Sequence, residues 1–380
     1  MLAVMDVGNW QNIIDLKSGV ELNEDENKYE AMRKLARENP YPGDMEESSV
    51  GWVTKTAQAV IDEHDPNFMF VDYAQPMFFR KFVADSGEKS RLMQERVLAD
   101  IDSLAKKNGF EKVIVMTMGC GTLKEEISDL GTKGELQSSP WSTQIAGIIC
   151  AEEGDRKRLE NAEQIESFIS KEDVWELYKD KAHPKFWNYF PDYIAFAKEG
   201  YAFRAHNSHH PKIYMADVIK NEIPVLSSIG NPKRLTNIKP MIEQSIKDGK
   251  KVLLAVFEGY KVGEVQPGFL PCDNRQDWYT YRGLSFYTAL LSGKPFFETE
   301  FAPVFDKNKP KQNKKLYPLS GFFTAEEEDA IGNCAGIRSA AVSSRSMIIH
   351  MAANADITLE CYSRDHTKMG VMVSFKPEKI

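Results

Sequence analysis

The stretch that decides the fold runs from residue 67 to residue 122 and opens with an apolar run, "NFMFVDYA". A long segment follows, "EKSRLMQERVLADIDSLAKKNGF", in which apolar residues recur at helical spacing. The stretch closes with a second apolar run, "KVIVMTMGCGT", which ends in glycines. Short apolar runs are typical of strands buried on both faces of a sheet, so the order strand, helix, strand predicts a parallel βαβ unit.

The same alternation extends to both sides of this stretch. Before it, "LAVMDVG" has the pattern of a buried strand, and "SSVGWVTKTAQAVIDEH" has that of an amphipathic helix with serines at its start. After it, "EIPVLSSIG", "IKPMIEQSIKDG" and "KVLLAVFEGY" repeat strand, helix and strand. We therefore predict an α/β fold, a three-layer sandwich with a mostly parallel central sheet.

The alternation is interrupted between about Ile145 and Tyr201, where acid-rich helical segments and the aromatic run "HPKFWNYFPDYIAF" predict an insertion or cap. The predicted organisation has residues 1–150 as the first half of the α/β core. Residues 151–225 form the cap, and residues 226–380 form the second half of the core.

Composition narrows the class of protein. A chain of 380 residues with 42% hydrophobic content can bury a substantial core, and a net charge of −8 disfavours a nucleic-acid partner. No run approaches the roughly 20 apolar residues that cross a bilayer, and "MLAVMDVGNW" lacks the pattern of a secretory signal. The five cysteines are scattered, which is typical of free thiols. We expect a cytoplasmic protein that binds a small-molecule substrate rather than a membrane, and leave a homo-oligomer open.

Candidate site residues follow the predicted strands, because ligands bind beyond the carboxyl ends of strands in open α/β sheets. Asp6 follows the first strand, where it could bind a cation or cap a helix. Asp72 stands in an apolar run, where a carboxylate has to be paired, metal-bound or protonated. Glu258 ends a later strand. Cys120 could be a nucleophile, but the sequence shows no base beside it, so a buried structural cysteine is favoured.

Histidines cluster in "RAHNSHHPK", Arg204 to Lys212, where His206, His209 and His210 lie within five residues. Either a strand or a helical turn would offer two of these imidazoles to zinc or manganese, although a polar surface loop has the same composition. His366, in "SRDHTKMGVMVSF", could supply a ligand from the second half or be a turn residue.

Two further segments have compositions that could bind a ligand. "MTMGCGT" predicts a glycine turn whose backbone N–H groups could hold an anion. "LPCDNRQDWYTYRG" has the composition of a recognition loop for a polar ring or phosphate, and equally that of a hydrogen-bonded surface turn.

The end of the chain resembles a known family. "DHTKMGVMVSFKP" is similar to the closing metal-histidine motif of the alkaline phosphatase superfamily, particularly phosphopentomutases and alkaline phosphatases. The region from "VTKTAQAVIDEH" to "KVIVMT" resembles the superfamily's phosphodiesterase core, and "LAVMDVG" resembles its first strand. The resemblance covers about half the chain and implies that Asp6 and His366 are metal ligands.

The chain departs from this family at its other metal motifs. The Asp-His pair is absent from "VIVMTMGCG", which has Met118 and Gly119 there, and from "IIHMAANAD", which has Ala352 and Ala353. The Asp and His that follow the other metal strand in this family are also missing from "VDYAQPMFF". A two-metal clamp therefore cannot be built from the usual positions, which leaves one divalent cation, zinc or manganese, with the histidine cluster as its new source of imidazoles.

The sequence thus predicts a metal-dependent hydrolase with a remodelled alkaline-phosphatase-like site for a small polar or anionic substrate. Asp72 would act as the base, and Arg204 or the glycine turn would stabilise the developing anion. Two alternatives stay open. One is a metal-free binding module or pseudoenzyme on the same scaffold. The other is an amide or ring-opening hydrolase of the creatininase type, which "VLADIDSLAKKNGFEKVIVMTMGCGT" also resembles apart from a missing histidine.

Overall fold

The structure is a computed structural model of the chain. It describes residues 3–5, 13–15, 20–21, 34–35, 37–43, 46–83, 87–139, 142–180, 190–204, 212–218, 220–259, 267–295, 339–343 and 357–360.

A mixed sheet forms the centre of the described structure. Its strands lie in the order β16 (Leu270–Asp273), β14 (Glu222–Ser227), β5 (Phe110–Thr117), β15 (Lys251–Glu258), β4 (Phe68–Tyr73), β19 (Ser339–Ser343) and β20 (Ile357–Glu360). Strand β15 runs parallel to both β5 and β4, and β19 runs parallel to β4 and β20. Strand β14 is antiparallel to both of its neighbours, β5 and β16.

Helices cover this sheet: α1 (Ser48–His64), α2 (Gln75–Phe82), α3 (Glu88–Asn108), α6 (Ile238–Lys247) and α7 (Gly283–Ser292). Helices α4 (Asp155–Asn161) and α5 (Lys171–Tyr178) pack elsewhere, against a separate sheet. Apolar side chains of α1 and α3 share one core cluster with Met69 and Val71 of β4. Those of α6 and α7 share another cluster with Phe68 and Phe70 of the same strand. Because side chains alternate along a strand, the two clusters lie on opposite faces of β4.

A second, antiparallel sheet takes two strands from residues predicted as the first half of the core and two from the predicted cap. It has the order β10 (Ile165–Ser170), β11 (Tyr193–Ala197), β9 (Ser142–Ile149) and β8 (Glu135–Ser139). Helices α4 and α5 flank β10 in the chain, so the helical segments expected there are accompanied by strands that the sequence did not reveal. Buried side chains of this sheet, among them Ala146, Ile148 and Ala195, form a core cluster of their own.

The remaining strands form small pairings. Strands β1 (Ala3–Met5), β2 (Ile13–Asp15) and β3 (Val20–Glu21) make one sheet, and β7 (Glu125–Ile127) pairs with β12 (Tyr201–Phe203). Strand β6 (Gly119–Thr122) pairs with β13 (Met215–Val218), and β17 (Arg275–Gln276) pairs with β18 (Tyr279–Thr280).

The predicted α/β class is confirmed, as a mixed α/β fold with parallel strands at its centre. Strand β1 pairs antiparallel with β2. One local prediction is wrong. The expected glycine turn is strand β6, and Met118, with φ 52°, separates it from β5. In the described residues, no helix combines the length and the apolar character needed to cross a membrane.

Candidate functional site

Two carboxylates lie side by side at the carboxyl ends of adjacent parallel strands. Asp72 belongs to β4 and Glu258 is the last residue of β15, and both are completely buried. Asp72 pairs in register with Val256, so Glu258 lies two residues further along β15. Residues two apart on a strand point to the same face, which brings both carboxylates to the face that α6 and α7 cover.

Tyr287 of α7 connects the two carboxylates. Its hydroxyl donates to Oδ2 of Asp72 at 3.0 Å and also contacts Oε1 of Glu258. The hydroxyl carries one proton, so two acidic groups share a single phenolic donor. Tyr287 is itself fully buried, like both carboxylates. We call Asp72, Glu258 and Tyr287 the carboxylate cluster.

Positive charge lies next to the carboxylate cluster. Arg80 of α2 is largely buried, and its guanidinium donates to the carbonyl oxygen of Gly259 at 2.6 Å and to that of Cys120 at 3.5 Å. The next residue, Lys81, is also buried and pairs with both carboxylate oxygens of Asp217, at 2.9 and 3.0 Å. Helix α2 therefore brings two cations to the ends of β15 and β6.

Cys120 is a poor nucleophile in this setting. Burial and, to a smaller extent, the charge of Asp217 raise the pKa of its thiol to about 12, against the lowering effect of Arg80 and Lys81. The thiol donates to the carbonyl oxygen of Met118 at 3.8 Å. A thiol with so high a pKa stays protonated near neutral pH, which supports the interpretation of Cys120 as a structural residue.

The predicted site residues have different outcomes. Asp72 lies in the carboxylate cluster. Arg204 is exposed directly after β12, and its backbone bonds to Ile127 at 2.9 Å and to the Ser138 hydroxyl at 2.7 Å, contacts that lie outside the central sheet. The proposed metal ligands lie outside the described residues: Asp6, His206, His209, His210 and His366.

Glu258 and Tyr287 complete a cluster that sequence reasoning identified only in part. Glu258 was recognisable as the acid that ends an apolar strand, "KVLLAVFE". Tyr287 stands in "GLSFYTALLS", where the only signal is a tyrosine within an otherwise apolar helix. Such a signal does not identify the partner, because a buried tyrosine hydroxyl bonds to whichever polar group it reaches.

The donors in the described residues do not by themselves form a metal site. Within those residues, no group of three or more His, Cys, Asp or Glu side chains is arranged to hold a metal ion. Asp72 and Glu258 offer hard oxygen donors of the type that divalent cations accept, but they are only two. A cation here would need further ligands from other segments of the chain.

Comparison with known proteins gives one structural likeness. No protein-family model and no curated protein sequence matches the chain. Among solved structures, the chain is similar to phosphonoacetate hydrolase from Sinorhizobium meliloti 1021, determined in complex with phosphonoformate, with 14% sequence identity and a TM-score of 0.34. The match covers 48% of this chain and 50% of that one, so the chain spans about half the length of that structure. A likeness of this extent does not assign a family, and the function has to follow from the site.

Proposed function

We propose that the chain is a hydrolase for a small polar or anionic substrate, with a remodelled centre of the alkaline phosphatase type. The observation that carries the proposal is the pair of fully buried carboxylates, Asp72 and Glu258, at the carboxyl ends of adjacent parallel strands. This edge is where open α/β sheets bind ligands, and burying two carboxylates together costs free energy that packing does not require. Clustered buried acids of this kind are typical of functional sites.

The residues of the carboxylate cluster have separate roles in this proposal. Asp72 accepts the proton of the attacking water, as a general base does. Tyr287 holds that carboxylate in place through its hydroxyl, and Glu258 shares the same donor. Arg204 is the group that stabilises negative charge on the substrate. The central sheet, with helices on both faces, would be the middle layer of a three-layer sandwich.

The proposal includes one divalent cation, zinc or manganese. A bound cation of this kind would lower the pKa of a coordinated water towards 7. Its proposed ligands come from the segments that the structure does not describe: Asp6, His206, His209, His210 and His366. At the sheet edge, Asp72 and Glu258 would be the acidic groups beside such a cation.

A second candidate function is a metal-free binding module on the same scaffold. The observation that favours it is the complete burial of Asp72, Glu258 and Tyr287, in which both carboxylates bond to the Tyr287 hydroxyl as in a purely structural network. In that case the cluster would stabilise the fold, and neither metal nor hydrolysis would depend on it.

Metal analysis and a substrate panel separate the two functions. Protein purified without chelator is analysed for zinc and manganese and assayed with phosphomonoesters, phosphodiesters, phosphonoacetate, and carboxylic esters and amides. The hydrolase proposal expects bound metal and turnover of at least one class. It also expects Asp72→Asn to lower kcat by about 100-fold or more, since loss of a general base costs that much.

The matched control is Asp62→Asn, which removes an exposed carboxylate from α1 and should leave kcat unchanged. His366→Ala should lower metal content and turnover together. A metal-free protein with no turnover, whose melting temperature does not respond to added zinc or manganese, would instead be a binding module.

A further inference from the structure

The structure has a cleft that none of the carboxylate cluster's residues line. It has a volume of about 610 Å³, within the range of small-molecule sites. The second sheet contributes Gln144, Glu166 and Phe196 to its wall, and the segment leading into α7 contributes Trp278 and Arg282. This segment belongs to "LPCDNRQDWYTYRG", whose composition suggested recognition of a polar ring or phosphate.

The guanidinium of Arg282 is held in one orientation. Its Nε donates to the carbonyl oxygen of Thr280 at 3.1 Å, and its carbon lies 5.0 Å from the ring centre of Phe196 and 5.9 Å from that of Tyr279. The backbone N–H of Arg282 donates to Oγ of Ser285 at 3.0 Å, which fixes the residue at the start of α7. A fixed guanidinium presents its remaining N–H groups in a geometry suited to a planar or tetrahedral anion.

Arg282 is buried, with only 8% of its surface exposed, and it makes no ion pair with any described residue. Asp217 influences its charge but is bonded to Lys81, and Glu166 is exposed. Burial lowers the pKa of Arg282 to about 10, so it still carries its charge near neutral pH.

The charge of Arg282 is therefore compensated only in part. A buried charge costs free energy unless it is paired and hydrogen-bonded. The rings of Phe196 and Tyr279 offset some of this cost through cation–π contacts. An anion in the cleft would compensate the remaining charge of Arg282. The dipole at the N-terminal end of α7 would also stabilise such an anion.

We infer that this cleft binds a small organic anion, whose carboxylate or phosphate group pairs with Arg282 and whose planar ring packs on Trp278 and Phe196. These two aromatic rings lie edge to face with their centres 6.1 Å apart, so they offer an apolar surface beside the cation. The inference concerns binding, and it stands or falls independently of the proposed hydrolase.

Titration with simple probes tests this inference. Phenyl phosphate, benzoate, inorganic phosphate and neutral phenol are titrated into the full chain by calorimetry. We expect saturable binding of phenyl phosphate or benzoate, with inorganic phosphate and phenol weaker; the better ring-bearing anion distinguishes a phosphate from a carboxylate site. Arg282→Gln should weaken binding about tenfold to hundredfold, because charge-assisted hydrogen bonds are lost.

Arg275→Gln is the matched control, since it removes an exposed guanidinium from the same segment and should leave affinity unchanged. Ser167→Trp provides a second variant that leaves α7 intact, because Ser167 is an exposed residue of the cleft on β10 and a tryptophan there would fill the space. Ser167→Trp should also abolish binding, so it tests the inference even if Arg282→Gln does not fold. Phenol binding as tightly as phenyl phosphate, no saturable binding of either ring-bearing anion, or binding that survives Ser167→Trp would overturn the inference.

Discussion

At the scale of single residues, Tyr287 supplies the hydroxyl that two buried carboxylates share. Tyr287→Phe removes this donor and leaves both acids less well solvated, so we expect a loss of about 1–3 kcal/mol in the free energy of unfolding. Tyr73→Phe is the matched control, because Tyr73 is equally buried and its hydroxyl lies 3.0 Å from the neutral Oγ1 of Thr54. Urea unfolding of the two variants measures the difference.

The control should lose about 1 kcal/mol or less, since only a neutral hydrogen bond is removed. Equal losses in the two variants would show that the carboxylates do not depend on the Tyr287 hydroxyl.

Sequence reasoning identified Asp72 but not Tyr287, the residue that donates a hydrogen bond to it. An isolated acid in "FMFVDY" is conspicuous, because a charge in an apolar strand needs compensation. Which group compensates it is decided by a contact between residues 215 positions apart in the chain. Arg282 was hidden in the same way, since composition shows an arginine among aromatics but not whether a carboxylate lies near it.

At the scale of elements, Asp155 fixes the turn before β8 to the start of α4. It is buried and accepts hydrogen bonds from the backbone N–H groups of Lys133 and Gly134 at 2.8 Å and of Glu152 at 3.0 Å. Burial alone would raise the pKa of Asp155, but these bonds and Arg158 lower it from 3.8 to about 2.

Because this pKa is lower in the folded chain, the bonds stabilise the fold above pH 4, and the contribution is lost as pH falls from about 4 to 2. Asp155→Asn should therefore lower the unfolding free energy at pH 7 by about 2 kcal/mol, with a smaller difference at pH 2. Denaturant unfolding at both pH values measures this. The exposed Asp248→Asn should show no such pH dependence, and a constant deficit for Asp155→Asn would contradict the assignment.

The junction between β15 and α2 depends on Gly259. This residue has φ +92°, and a Cβ atom there would lie 2.7 Å from the backbone nitrogen of Met77. Gly259→Ala should cost more than about 2 kcal/mol, because strain from the positive φ adds to a clash with backbone. Gly249→Ala is the control, with φ +81° and nothing within 4 Å, and should cost only about 1 kcal/mol.

Thermal unfolding of the two alanine variants makes the comparison. Equal losses would mean that α2 can move away from the end of β15.

Elements of the central sheet were more predictable than those of the second sheet. "SSVGWVTKTAQAVIDEH" coincides with α1, Ser48–His64, because its buried face recurs at helical spacing. Strand β10, "IESFIS", buries only Ile165 and Ser170 at its ends, so its pattern shows no clear alternation. The direction of β14 was also hidden, since an apolar run looks the same in a parallel or an antiparallel pair.

At the scale of the whole molecule, a buried ion pair connects α2 to the small sheet of β6 and β13. Lys81 and Asp217 have side chains that are 1% and 4% exposed. Lys81→Met removes the buried ammonium group that pairs with Asp217, so we expect a loss of about 3–5 kcal/mol, and the double variant with Asp217→Leu should regain most of it. A double-mutant cycle by denaturant unfolding measures the coupling.

The control is Lys89→Met, which breaks an exposed pair with Glu47 and should change stability by about 1 kcal/mol or less. A double variant no more stable than Lys81→Met alone would mean that the pair is not what joins the two parts.

The position of β15 in the central sheet has a consequence for biosynthesis. This strand lies between β4 and β5, yet it follows both of them in the chain. A ribosome makes the segment between β5 and β15 at roughly 5–20 residues per second. During that time, β4 and β5 each have an unpaired edge on the side where β15 will later pair. Unpaired strand edges are templates for association with other chains. The nascent protein is therefore exposed to association with other chains until β15 has been made. Asp72 and Glu258 come together only when β15 pairs with β4.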